Sequence, residues 1–303
     1  DPADNGQFAL GIGKGGTMTI NGGKVEAGWY AISGNGTDIA KPSNVVINGG
    51  ELISTADYAL YLPHNGETTV TGGTVYGAAG GVSIQRGTLN IRDNAVVTSK
   101  GTGDTGNWGD GTGGQAAAAV NIAAEYGDCT VNISGGKLAA EENALIIKAD
   151  STHKISFAIT GGKFSSDVSE YLSEGYIWDQ NTGAVEKLGA ENAVAQVGDQ
   201  YFASLGAAIA AVPDNDTETA VTLLKDAAGG GVQVKEKQKI LLDLNGHTYT
   251  VGQPTVGSAG TETNGFQFLK GSAVWIKNGT IKASDYADLK IMFQNYCDLT
   301  LEN

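Results

Sequence analysis

One phrase recurs along the first half of the chain and limits what it can fold into. It reads TMTINGGKVEA at 17–27, NVVINGGELIS at 44–54, TTVTGGTVYG at 68–77, CTVNISGGKLAA at 129–140 and SFAITGGKFSS at 156–166. The apolar residues before each turn are Ile20, Ile47, Val70, Ile91, Ile133 and Ile159, spaced by 27, 23, 21, 42 and 26, with 42 read as two steps of 21. A second motif precedes each copy: FALGI (8–12), YAIS (30–33), YALYL (58–62), GVSIQ (81–85), AVNIA (119–123) and ALIIK (144–148). Both series alternate apolar and polar residues with period two, the pattern of half-buried strands.

Each unit therefore reads as strand, turn, strand, Gly-Gly corner and a third short strand such as KVEA or ELIS. Units of 21–28 residues are too short for a four-stranded propeller blade, and no amphipathic helix accompanies them as in helical or leucine-rich repeats. The remaining solution is an all-β parallel β-helix (solenoid). It has three short strands per coil, coils about 4.8 Å apart and like residues stacked in columns. The 46 glycines fit repeated sharp corners, where positive φ or a missing Cβ is needed. Asn21, Asn48, Thr71, Ser134 and Thr160 precede those corners and can bond neighbouring turn backbone.

Three segments are expected. Residues 1–163 form a first β-helix of about six coils, with KGTGDTGNWGDGTGGQ (100–115) inserted in the fourth. Residues 164–195 form a cap and linker: SSDVSEYL reads as a short capped helix and GYIWDQNTGAVEKL as a hairpin. Residues 196–303 open with a helix N-capped by Ser204 and start a second β-helix, through AVTLL, KILLDL, HTYTV, GFQFL, AVWIKNGTI, LKIMF and CDLTLEN. That second array breaks off in mid-coil, so the chain is expected to be trimmed from a longer protein or to meet another chain end to end.

The stretches GGKFSSDVSEYLSEGYIW (161–178) and VGDQYFASLGAAIAAV (197–212), with AVTLLKDAA (220–228) and ILLDLNGHTYTV (240–251), carry a family resemblance. Most of the chain resembles right-handed parallel β-helix proteins of the pectin-lyase-like kind, in particular the large repetitive surface proteins of gut Firmicutes. The resemblance implies right-handed coiling and a secreted or wall-attached, adhesin-type bacterial molecule without an assigned activity. Its partner would be a host or cell-wall glycan or a surface protein.

Charge narrows the partners. Lys and Arg total 19 against 33 Asp and Glu, giving −14, and Arg86 and Arg92 are the only arginines. Nothing here offers a phosphate-backbone footprint, so nucleic acid and anionic membranes are poor partners. No apolar run is long enough to span a bilayer. Cys129 and Cys297 lack metal or redox spacing and are expected to be buried free thiols.

The motif GIGKGG (11–16) matches G-x-G-x-x-G but is followed by the strand TMTI rather than a helix, so it reads as a turn. A hydrolase needs two facing carboxylates. The outward columns read Thr17/Thr19, Asn44/Val46, Thr69/Thr71, Thr88/Asn90, Thr130/Asn132 and Ser156/Ala158 in the second strand. In the first they read Ala9, Ala31, Ala59, Gly81, Ala119 and Ala144. Neither face carries such a pair, so no catalytic residue is assigned.

One polar cluster remains. The turn PHNGE places His64 and Glu67 beneath Arg86, with Arg92 on the same coil, and the inserted loop adds Asp104, Asn107, Trp108 and Asp110. Trp108 can stack on a sugar ring while the carboxylates bond hydroxyls. No cofactor is expected. Calcium is the one ion these carboxylates suggest, and Asp104 and Asp110 follow no EF-hand spacing. The expected function is a non-catalytic surface module, adhesin or stalk, with a carbohydrate-active or glycan-binding protein working through the fourth-coil loop as the alternative.

Overall fold

The computed structural model describes residues 7–34, 40–100, 118–148, 152–285 and 289–303. It is nearly all β, and the chain divides into two compact units at Lys187/Leu188.

In the first unit the first strands of successive repeats form one six-stranded parallel sheet. They are Leu10–Ile12, Ile32–Gly34, Tyr58–Leu62, Gly80–Ile84, Ala118–Ile122 and Asn143–Ile147. Second strands (Thr17–Ile20, Asn44–Ile47, Glu67–Val70, Gly87–Ile91) and third strands (Lys24–Ala27, Glu51–Ser54, Thr74–Gly77, Val96–Ser99) form the two arms of another parallel sheet. The strand Cys129–Ala139 pairs with both arms and joins them, and Ile155–Phe164 follows it. In these last two repeats the chain runs across the Gly-Gly position, with register shifts after Ile133 and Ser134 in place of a clean break.

Like residues face like residues: Val82 opposes Val120, Ile84 opposes Ile122 and Ile91 opposes Ile133. The Ile91–Ile133 pairing corrects the reading of the 42-residue spacing, which is one step carrying an insertion. Alternation buries Leu60, Leu62, Val82, Ile84, Val45, Ile47, Leu89, Leu52, Val75 and Val97 in a single core. Each such side chain contributes roughly 1.5–3 kcal/mol relative to exposure.

Beyond exposed Ala9, the small column of the first strands is also interior, against expectation. Ala31, Ala59, Ala119 and Ala144 are fully buried in the core. A Cβ on Gly81 would fall 2.6 Å from Val97 Cγ1, so the third strand of the same repeat crowds that position and favours a small residue. The corner residues Asn21, Asn48 and Thr71 bond one another across repeats, with Asn48 Nδ2 donating to Asn21 Oδ1 (2.8 Å) and Thr71 Oγ1 to Asn48 Oδ1 (3.0 Å). Thr71 Oγ1 also makes the expected backbone contact, to Ile47 O at 3.3 Å.

The Gly-Gly corners stack backbone on backbone. Glu51 N bonds Gly23 O at 2.8 Å and Thr74 N bonds Gly50 O at 2.8 Å. Gly73 has φ +77°, and a Cβ on Gly72 would lie 2.6 Å from Asn48 O. Gly22, in the first repeat, has nothing within 4 Å.

Beyond Phe164, SSDVSEYL yields one 3₁₀ turn, Ser169–Tyr171, without a side-chain cap, instead of a capped α-helix. Asp167 Oδ1 accepts from Ser169 N, a local turn that competes with helix initiation. Tyr176–Trp178 and Val185–Lys187 pair antiparallel, and Phe164 N bonds Gly183 O (2.8 Å), seating this hairpin on the last repeat.

The second unit opens with a hairpin, Ala195–Val197 with Gln200–Phe202, and the helix α1 (Leu205–Ala210), whose Ser204 Oγ accepts from Ala207 N at 3.1 Å. The strands Glu218–Leu223, Lys239–Asp243, Ala273–Lys277 and Asp298–Glu302 then pair in parallel, flanked by two three-stranded parallel sheets. Phe266, Phe268 and Tyr249 fill the core. Buried Gln238 closes the helix, its Nε2 donating to Ile209 O (3.0 Å) and Val212 O (2.7 Å).

Two stability outcomes follow. Gly72→Ala is expected to lower unfolding stability by about 1–3 kcal/mol through overpacking, whereas Gly22→Ala is neutral or stabilising by up to about 1 kcal/mol. Urea denaturation compares them, and equal effects would mean that stacking does not impose glycine at the corner. Gln238→Met, which takes away the side-chain partners of Val212 O and Lys235 N, is expected to cost about 1–3 kcal/mol in the same assay.

Candidate functional site

The outer face of the first sheet carries an open cleft of about 810 Å³ lined by residues that the repeats bring together. Phe8, Gly11, Ile12, Gly13 and Lys14 come from the first repeat and Ser33 and Gly34 from the second. Tyr61 and Pro63 come from the third, and Tyr126 from the turn after the fifth first strand. At about 4.8 Å per repeat the lining extends over roughly 19 Å.

Register explains the assembly. Ser33, Tyr61 and Ser83 occupy one column, half-buried at Ser33 and Tyr61 and fully buried at Ser83. Tyr61 stacks on Tyr30 (centroids 4.8 Å apart, 16° between planes), and Tyr30 stacks on Trp29 (4.6 Å, 22°). Trp29 Nε1 donates to Asp57 Oδ2 at 2.5 Å, and Tyr58 N donates to Asp57 Oδ1 at 2.8 Å. Burial is the main influence on the Asp57 carboxyl and raises its pKa, although both hydrogen bonds oppose that shift. The Tyr61 ring is thus held from behind. Its hydroxyl points to Tyr126 Oη at 3.5 Å.

The motif GIGKGG supplies the lip. Gly16 N bonds Gly13 O (3.2 Å), and Lys14 (φ 55°) and Gly15 (φ 80°) turn the chain. Phe8 rests against Gly11, where a Cβ would be 3.1 Å from its ring. Lys14 is the only charged residue in the lining, and it pairs with no carboxylate among the described residues.

The residues expected from sequence fare differently. Asp104, Asn107, Trp108 and Asp110 lie outside the described residues. His64 does not reach a surface cluster: it is 3 % exposed, and its ring fills the space that Gly34 leaves in the inward column of Ile12, Leu62 and Ile84. Its Nδ1 has no partner, and burial lowers its pKa from 6.5. Glu67 is exposed and accepts from Thr69 Oγ1 (3.0 Å). Among the described residues Glu67 makes no ion pair with Arg86, whose side chain lies along Gly127. Arg92 stands at the far end of the strand Gly87–Ile91, paired with Asp93 at 3.0 Å. None of these four lines the cleft.

The aromatic residues that do line it were missed. Tyr61 is the one outward aromatic in YALYL, and aligning the column Ser33–Tyr61–Ser83 would have marked it. Both thiols are free. Cys129 is buried, which pushes its pKa up to about 12; Cys297 is half-buried, short of the full burial expected. Among the described residues no three His, Cys, Asp or Glu side chains converge, and no helix is long and apolar enough to cross a membrane. The chain matches no protein-family model, no curated protein and no solved structure.

The cleft can hold a ligand by stacking, hydroxyl contacts and one positive charge. Among the described residues its lining contains no carboxylate.

Buried His64 also yields a pH prediction. An unfolded histidine titrates near 6.5, while the folded His64 resists protonation. Its contribution is therefore complete above pH 6.5 and is lost as pH falls below 6.5 towards the lowered folded value. His64→Leu should flatten the stability–pH curve there by up to about 1.4 kcal/mol per pH unit. Parallel curves for the two proteins would show that His64 is not the group responsible.

Proposed function

We propose that residues 1–187 are a right-handed parallel β-helix serving as a non-catalytic module, an adhesin or structural stalk, secreted or attached at a bacterial cell surface. The observation that carries this reading is the stacking itself. Strand after strand pairs in parallel with the preceding repeat around one sealed apolar interior, leaving only outer faces for contact. Such a stack is stiff and presents a long shallow surface.

The outward columns support a non-catalytic role. One reads Thr19, Val46, Thr69, Asn90, Asn132 and Ala158. The next contains Thr17 paired with Asn44, then Glu67, Thr88, Thr130 and Ser156, with Glu67 in the column where Thr69 was expected. A single carboxylate cannot supply the facing pair that glycoside hydrolysis uses.

A second reading, glycan binding, is favoured by the aromatic cleft. Polysaccharides and host glycans incubated with the chain, with and without calcium, test both. Binding without new chain ends is expected; newly formed reducing or unsaturated ends would overturn the non-catalytic assignment.

A further inference from the structure

We propose that the cleft of Phe8, Tyr61 and Tyr126 binds a glycan bearing an acidic group, with sugar rings against the aromatic faces and a carboxylate or sulfate at Lys14. This rests on the surface-module reading for the choice of a sugar ligand and goes beyond it in naming a site and a charge class.

Exposure argues first. Among the described residues of the first unit, the large apolar side chains left exposed are Phe8 (52 %) and Tyr126 (38 %), and both line this cleft. Elsewhere in the unit alternation buries such residues, so their convergence on one concave surface marks a contact site. Aromatic rings with polar tips suit a ligand with an apolar face and a hydroxyl rim, which describes a pyranose.

Preorganisation argues second. Tyr61 is backed by Tyr30 and Trp29, with Trp29 anchored on Asp57. A ring already fixed loses little freedom when a ligand stacks on it. Gly11 and Gly13 keep the floor low, and Ser33 and the tyrosine hydroxyls supply hydrogen-bonding groups at its edge.

Charge argues third. The chain carries −14, which repels an anionic ligand from most of its surface. Among the described residues the cleft lining is locally reversed, with Lys14 and no carboxylate. An acidic sugar gains there from the cation and faces no negative group among those residues.

The test measures binding of an acidic oligosaccharide and of the same compound with its carboxyl groups reduced to alcohols, by calorimetry at low and physiological salt. The acidic form should bind about two- to fivefold more tightly at low salt, and the advantage should shrink as salt rises. Tyr126→Ala should weaken both forms about three- to tenfold. Lys14→Asn, which keeps a residue tolerant of positive φ, should remove only the acidic preference. Unchanged thermal unfolding of both variants checks that the fold persists. Equal affinity of the two forms would overturn the charge assignment. Absence of binding by either form, or binding that ignores Tyr126→Ala, would overturn the cleft as a glycan site. Cleavage of the oligosaccharide would instead refute the non-catalytic module, so the two failures read out separately.

Discussion

Everything in the first unit depends on backbone lying directly on backbone. Each repeat hydrogen-bonds to the one before it along all of its strands, and the approach is close at the Gly-Gly corners. There, carbonyl oxygens of one repeat sit where the Cβ of the next would be. This contact fixes the register, and the register then decides which side chains meet. A shift of one residue would turn every isoleucine column outward, so the interior tolerates little variation while the outside is free to vary.

That division explains where the chemistry sits. The interior recruits whatever fills it: Gly34 interrupts an isoleucine column, and His64 turns in from the neighbouring repeat to occupy the gap. A histidine used in packing is not available to a surface site, even though its turn also holds Glu67 and precedes Arg86 by one repeat. The aromatic ladder shows the opposite case. Tyr30, with Trp29 beside it in the chain, and Tyr61 lie in neighbouring repeats and make contact because the ladder aligns them, and Tyr126 joins from 65 residues beyond Tyr61.

Much of the fold was legible because period-two alternation and a repeated corner are local signals. The strands around Ile47, Val70 and Ile91 follow from them directly. The failures were non-local. The 42-residue gap between Ile91 and Ile133 holds an insertion about as long as a repeat, so spacing alone could not separate one step from two. The alanine column seemed outward by alternation, but Val97, in the third strand of the same repeat, crowds Gly81 and both faces end up covered. In the second unit, Ala227–Gly229 and Val232–Val234 are three-residue strands around GGG, too short and too glycine-rich to show a period. The cleft was hidden for the same reason as the ladder: no window of sequence contains Phe8, Tyr61 and Tyr126 together.

A stack of like repeats presents like columns, and a uniform face offers a ligand no preferred place to bind. Selective contact needs a position where neighbouring repeats differ. The cleft lies at such a position: Phe8 lies over Gly11, Gly34 replaces a column isoleucine, Tyr61 stands between Ser33 and Ser83, and the turn at 123–128 brings Tyr126 alongside. Phe8, Tyr61 and Tyr126 are tolerated because they lie outside the apolar columns, and Gly34 because His64 fills the space it leaves. Binding specificity in this architecture is therefore carried by irregularities, and the regular columns between them hold those irregularities at fixed distances.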